Sequence, residues 1–365
     1  MSLSSTSSLH RHAWQWIRDR FHLPQEPQMH NASTETKSLD LRTDLKLSVG
    51  SIIGSNHLDE VNLPKTNNQD AIELEISKEH AIIVVCDGCS GASNSEVGAK
   101  LLANVVLKAF KAHATSDKTA DEILTAVQKT ALEKLRYITS DLAIFDYSGT
   151  QSLAERDYAR VETISRFFLA TLIGAYCTPE RCFIWGLGDG VYAYNQDGVP
   201  HVKVIRSLNN APSYLAYNLL NKWPKDIPHK RLSVYQEFKQ IPECIMVGSD
   251  GVEDLITLAG RNFPGSQEKI PSLEELLTNK RYLESPKTIN QLLKRIQAGN
   301  MQSKRPLRDD TTLLVIGKRP EPMAANTGIS PDVTDMQQLK HPLPAVARSN
   351  MALSQPQPPQ KTNQL

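Results

Sequence analysis

The sequence predicts an α+β fold in which packed sheets are covered by helices, rather than a regular β-α-β alternation. Two observations predict it. Apolar strand patterns follow one another directly along the chain, and helical patterns are grouped between sets of strands. A third supports it: the strongest strand, "HAIIVVCDG" (80–88), is so rich in β-branched residues that it reads as fully buried.

The elements follow in order. A first strand opens after "NNQD", at "AIELEI" (71–76), and "HAIIVVCDG" is the next. "SEVGAKLLANVVLKAFKAH" (95–113) carries Val97, Leu101, Leu102, Val105 and Ala109 at helical spacing, with Ser93 or Ser95 available as its cap. A second helix covers 119–140. "FFLATLIGAYC" (167–177) and "CFIWGLGDGVYAYN" (182–195) are strands joined at "TPER", a short turn containing Pro. "NQDG" (195–198) is a hairpin turn. "CIMVGSDG" (244–251) is a strand, "VEDLITLAG" (252–260) a short helix, and "DDTTLLVIGK" (309–318) the last strand.

The dense region runs from about 46 to 318. Residues 1–45 form a polar extension rich in Ser, Thr and His, with one aromatic cluster at Trp14, Trp16, Ile17 and Phe21. Two readings stand for that cluster: a short docking helix, or a solvated tail. Residues 319–365 end in "SQPQPPQKTNQL", and their Pro- and Gln-rich composition predicts disorder, because it offers too little apolar surface to offset ordering entropy.

The chain has 365 residues, 40% of them hydrophobic, and a formal net charge of +1. Balanced charge argues against a nucleic-acid surface, which needs concentrated basic residues. No apolar stretch is long enough to span a bilayer, and the first residues lack the apolar core of a secretory signal, so the cytoplasm is the expected compartment. The five cysteines, Cys86, Cys89, Cys177, Cys182 and Cys244, make a poor disulfide framework. Cys86 and Cys89 have the spacing of a zinc or redox pair, but no second pair of ligands accompanies them, and the first ends a strand instead of starting a helix. Cys86 therefore reads as a small buried residue and Cys89 as a loop residue.

One pattern recurs. Apolar strands end in acid-plus-glycine three times, at Asp87-Gly88, Asp189-Gly190 and Asp250-Gly251. A fourth strand begins with Asp309 and Asp310, and Asp70 precedes the first. A single Asp-Gly is usually an ordinary turn. Several carboxylates crowded at the ends of buried strands repel one another and lose hydration, so they call for a cation. Oxygen-only ligands suit magnesium or manganese.

The ordered motifs "NNQDA", "VVCDGCSGASNSEVGAKLLA", "FLATLIGAY", "WGLGDGVYAY", "MVGSDGVEDL" and "RDDTTLLVI" resemble the metal-dependent serine/threonine protein phosphatases of type 2C. "GSNHL" upstream looks like a bacterial subgroup. The resemblance covers about 46–318. It implies two antiparallel sheets packed face to face with helices outside both, and a site holding two Mn²⁺ or Mg²⁺ ions. Asp87 would bridge the ions, the Gly88 carbonyl would bind one, and Asp250 and Asp309 the other. Asp70 would hold a metal-bound water. Asp189 and Asp310 match supporting positions. The implied reaction is direct attack on phosphorus by a hydroxide shared between ions roughly 3.5–4 Å apart. The implied substrate is a protein carrying phosphoserine or phosphothreonine, with a companion serine/threonine kinase and a monomeric enzyme.

Four departures from the family pattern stand out. Gln69 occupies the place of a metal-binding Glu. Lys65 is the only cation near the place of a phosphate-holding Arg, and it lacks the planar fork. Cys89 stands where some members have a His, for which His57 is a possible substitute. The Asp of a third metal is not evident near Arg166. Two rival functions remain: a non-catalytic regulatory or binding module on the same fold, and a phosphatase for small phosphomonoesters.

Overall fold

The computed structural model describes residues 40–58, 67–92, 94–115, 117–145, 153–208, 211–220, 231–298 and 306–319. The Trp14/Trp16 cluster, Lys65 and the Pro/Gln-rich tail lie outside them.

Among the described residues, ten strands form two antiparallel five-stranded sheets. The first sheet has the order β1 (Leu45–Ile52), β10 (Thr311–Lys318), β9 (Cys244–Gly248), β6 (Gly190–Gln196), β7 (Val199–Ile205). The second has the order β2 (Ala71–Ile76), β3 (Ala81–Gly88), β4 (Ala170–Thr178), β5 (Arg181–Leu187), β8 (Ser233–Phe238). Helices α1 (Ser95–His113), α2 (Ala120–Phe145) and α3 (Leu153–Phe167) accompany the second sheet. Helices α4 (Glu253–Leu258), α5 (Leu273–Thr278) and α6 (Thr288–Gln297) accompany the first.

The continuous apolar runs follow from this layering. Side chains alternate between the faces of a strand, and here both faces of the central strands are covered. In β3, Ile82, Val84 and Cys86 pack under the helices, while Ala81, Ile83 and Val85 pack against the other sheet. In β10, Leu314 and Ile316 face the second sheet while Leu313 and Val315 face the helices of the first. Phe110 of α1 lies 4.8 Å from Trp185 of β5, centroid to centroid, and both are fully buried. Burying side chains of this size contributes about 1.5–3 kcal/mol each, which fixes α1 on its sheet and so fixes the loop before it.

Several expectations shift. "CFIWGLGDGVYAYN" is two strands in different sheets: β5 belongs to the second and β6 to the first. The chain crosses at Gly188 (φ 101°) and Gly190 (φ 143°), conformations that glycine adopts without strain, and Asp189 sits between them. α1 buries Gly98, Ala99, Leu102, Ala103, Val106, Leu107, Ala109 and Phe110; of the predicted stripe Leu102 and Ala109 are buried, Leu101 and Val105 are half-buried and Val97 is 41% exposed. The residue capping α1 is Asn94, and Ser95 lies in the first turn. The second helix runs on to Phe145, and a further helix, α3, ends at Phe167, so β4 starts at Ala170 rather than at Phe167. The "NQDG" turn is as expected, with Asp197 (φ 54°) and Gly198 (φ 77°) joining β6 and β7. The ordered edge begins before the dense region: Leu41 is fully buried and its N–H donates to the Lys78 carbonyl.

Candidate metal centre

β3 delivers Asp87 and Gly88 as its last two residues. By strand alternation the Asp87 side chain leaves on the face of Ile83 and Val85, the face shared by the two sheets. From the opposing sheet, β9 ends at Gly248, and Ser249 leads into a single 3-10 turn at Asp250–Val252. Asp309 and Asp310 enter β10 beside it. The two segments lie close: a Cβ on Gly251 would sit 2.1 Å from the Asp310 carbonyl oxygen, so only glycine fits there. Asp70 arrives from the start of β2. The acids of both sheets thus meet at one end of the sandwich.

Asp310 is the buried hub of this end. It accepts the backbone N–H of Gly54 at 2.7 Å, the backbone N–H of Gln69 at 2.5 Å, and pairs with His57 Nδ1 at 2.9 Å. Three segments are pinned to one carboxylate. His57 is itself buried, and its Nε2 lies 3.8 Å from Asp309 Oδ1. Asp70 Oδ2 accepts from Ser249 Oγ at 2.7 Å, while Asp70 Oδ1 is buried with no hydrogen-bond partner among the described residues.

The electrostatics of these carboxyls among themselves are unfavourable. Burial, then the charge of Asp310, pushes the Asp70 carboxyl well above the usual range. Burial and then Asp70 do the same to Asp87, which hydrogen-bonds Asp250. Burial raises Asp250 to about 6, although the bond from Asp87 works against it. Asp309 is raised by burial too, offset in part by the Asp310 N–H and by His57. Carboxyls that resist ionising together are short of positive charge. An unpartnered buried oxygen on Asp70 points the same way. The donor set is all oxygen, the chemistry that hard divalent cations such as Mg²⁺ or Mn²⁺ take, while as the side chains stand no three acidic, His or Cys groups among the described residues converge on one ion position.

The family profile described as Protein phosphatase 2C matches residues 54–296, two-thirds of the chain. The chain belongs to the protein phosphatase 2C family. Asp309, Asp310 and β10 lie beyond the matched span, yet they complete the cluster. Similar solved structures include PppA of Pseudomonas aeruginosa, described as a key regulatory component of T6SS (16% identity, 76% of this chain and 99% of that one, TM-score 0.42). Others are the serine/threonine phosphatase Stp1 from Staphylococcus aureus (15%, 75% and 95%, TM-score 0.41) and the catalytic domain of PstP in complex with two manganese ions (15%, 75% and 98%, TM-score 0.40). No curated protein matches the chain.

In this phosphatase-family chain the structure brings together Asp70, Asp87, Gly88, Asp250, Asp309, Asp310, Gln69 and His57. Asp189 stands to one side, lining a cavity of about 250 Å³ with Arg206, Ser207, Asp250 and Glu253. Burial raises its carboxyl and a bond from Ser207 offsets this. Gln69 does not extend toward the acids. Its Nε2 donates to Ser95 Oγ at 2.5 Å and to the Ala92 carbonyl at 3.5 Å, so the amide ties β2 to the start of α1. A carboxylate could not donate to either oxygen. Cys86 is buried under the helices, whereas Cys89 is half-buried beside the Tyr214 phenol, so the two thiols share no site. Cys177 and Cys182 face each other across the β4–β5 hairpin.

Sequence reasoning missed the residues that hold the candidate ligands in place. Ser249 was visible in "VGSDG" but carried no sign of its bond to Asp70, 179 residues away. Two ion pairs flank the cluster: Arg206 Nη2–Glu253 Oε2 at 2.7 Å, and Arg308 Nη2–Asp254 Oδ1 at 2.8 Å. Nothing local in the sequence announced either.

Proposed function

We propose that this chain is a metal-dependent phosphatase that hydrolyses phosphoserine and phosphothreonine on proteins. The observation that carries the reading is the convergence of Asp70, Asp87, Asp250 and Asp309 from both sheets, with Asp70 Oδ1 buried and unpartnered among the described residues. Membership of the phosphatase 2C family supports the reaction class.

The residues divide the work. Asp87, the Gly88 carbonyl, Asp250 and Asp309 would hold two divalent ions. Bound there, the ions would supply an activated water and Lewis-acid stabilisation of the phosphoryl oxygens. Asp70, fixed through Ser249, would orient that water. Asp310 holds the Gly54, His57 and Gln69 segments in register, and His57 in turn faces Asp309. Neither a protein nucleophile nor the Cys89 thiol is needed. The cavity bordering Asp250 and Asp309 is about 220 Å³ and open, a size suited to a phosphorylated side chain rather than to a large buried ligand.

A phosphoprotein made by a serine/threonine kinase is the substrate this reading implies, acted on by a monomer in the cytoplasm. Among the described residues no helix is long and apolar enough to cross a membrane.

The test is hydrolysis of a phosphothreonine peptide and of p-nitrophenyl phosphate after chelation, then after restoring Mn²⁺ or Mg²⁺. The reading expects no turnover without metal and turnover of both substrates with it. Turnover confined to a small phosphomonoester would favour a small-molecule phosphatase. No turnover of either with metal bound would leave a regulatory module.

A further inference from the structure

Arg308 immediately precedes Asp309, and its side chain is 67% exposed. It lines the cavity of about 220 Å³ that Asp250, Asp309 and Asn56 also border, and it is the one cation among the described residues lining it. The guanidinium is not loose. Nε and Nη2 donate to Asp254 Oδ1 at 3.0 and 2.8 Å, and the Arg308 backbone N–H donates to Asp254 Oδ2 at 2.7 Å. Asp254 is buried, 7% exposed, and lies in the first turn of α4, four residues after Asp250.

Two of the five guanidinium N–H donors are spent on Asp254, which leaves three. A planar fork already held by a carboxylate loses little freedom on binding an oxyanion, and its geometry matches two phosphoryl oxygens at once. The other charged residues around this cavity, Asp250, Glu253, Asp254 and Asp309, are all acidic, so an incoming phosphate dianion meets repulsion there unless cations face it. Arg308 is placed to face it from the protein side.

We propose that Arg308 binds the phosphate of the substrate, and that Asp254 is the positioning residue that presents its guanidinium. The identity of the anion rests on the phosphatase reading above. An alternative use of the same contacts is purely mechanical, tying the Asp309 segment to α4.

The experiment measures binding rather than turnover. Inorganic phosphate is titrated calorimetrically into the Mn²⁺-loaded full chain, and Mn²⁺ into the chelated chain, for wild type, Arg308→Ala, Arg308→Lys and Asp254→Asn. The proposal expects Arg308→Ala to weaken phosphate by about tenfold or more, with Mn²⁺ affinity within about twofold of wild type. Arg308→Lys keeps the charge without the fork and should recover only part of the loss, and Asp254→Asn should fall between wild type and Arg308→Ala. Unchanged phosphate affinity in Arg308→Ala overturns it. So does a loss matched by an equal loss of Mn²⁺ affinity, which is the mechanical role. If Arg308→Ala does not fold, Arg308→Lys decides on the same two constants. A wild type that binds phosphate but hydrolyses nothing refutes the phosphatase reading alone, because the binding constants still decide the role of Arg308.

Discussion

Replacing Asp250 by Asn should make the metal-free protein more stable at neutral pH. In the fold this carboxyl is raised from its ordinary 3.8 to about 6, by burial first. The sign follows from linkage. A group whose folded pKa is raised contributes stability that is fully present below its unfolded value and lost as pH rises through the folded one. For Asp250 that window is about pH 4 to 6. The full shift corresponds to about 3 kcal/mol, at roughly 1.4 kcal/mol per tenfold change in proton affinity. Because Asp250 and Asp87 hydrogen-bond each other, part of this belongs to the pair, and about 1–3 kcal/mol is the expectation for the single substitution. Asn keeps an oxygen that accepts the bond from Asp87 and removes one charge. The assay is urea unfolding in chelator at pH 8 and again at pH 4. Asp250→Asn should exceed wild type by about 1–3 kcal/mol at pH 8, and the gap should close at pH 4, where wild-type Asp250 is already protonated. With saturating Mn²⁺ the order should reverse, because wild type gains binding energy that the variant lacks. A variant less stable than wild type at pH 8 in chelator, or a gap that ignores pH, would refute the crowded-carboxylate account.

Asp87→Asn and Asp309→Asn should each lower turnover by orders of magnitude with the fold retained, judged by circular dichroism beside peptide hydrolysis; near-normal turnover in both would mean the ligands are misassigned. Gln69→Glu should destabilise by about 1–3 kcal/mol in thermal or urea unfolding and should not tighten Mn²⁺ binding, because a carboxylate there faces the Ala92 carbonyl and cannot donate; tighter Mn²⁺ binding would show that residue 69 reaches the ions. Cys86→Ala should cost about 1 kcal/mol through lost packing with turnover per folded molecule unchanged, whereas abolished activity in Cys89→Ser would point to a thiol nucleophile.

Much of the fold was legible because burial on both faces writes itself into sequence. β3, β9 and β10 are continuous apolar runs, since alternate residues serve the helix side and the intersheet side. What the runs did not reveal is which sheet each strand joins. The crossing between β5 and β6 occupies two residues, Gly188 and Asp189, inside an otherwise unbroken apolar pattern. β1, with Leu45, Leu47 and Val49 alternating, and β8 gave weaker signals because they are edge strands with partly exposed faces. At the site, the acids were legible because each interrupts a strand terminus. Their supports were not. The Ser249–Asp70 and Arg206–Glu253 contacts join residues 179 and 47 positions apart, and a one-dimensional pattern carries no trace of such pairs. Gln69 was read through the resemblance as standing in the place of a metal-binding Glu; its bond to Ser95, 26 positions away, was as invisible in the pattern as the other supports.

The central claim is that acids from two sheets form one site for two divalent cations. Calorimetric titration of Mn²⁺ into chelated wild type and Asp87→Asn tests it most directly. Two equivalents bound by wild type, with at least one lost in Asp87→Asn, is the predicted result. Equal Mn²⁺ binding by the two proteins, or less than one equivalent in wild type, would contradict it.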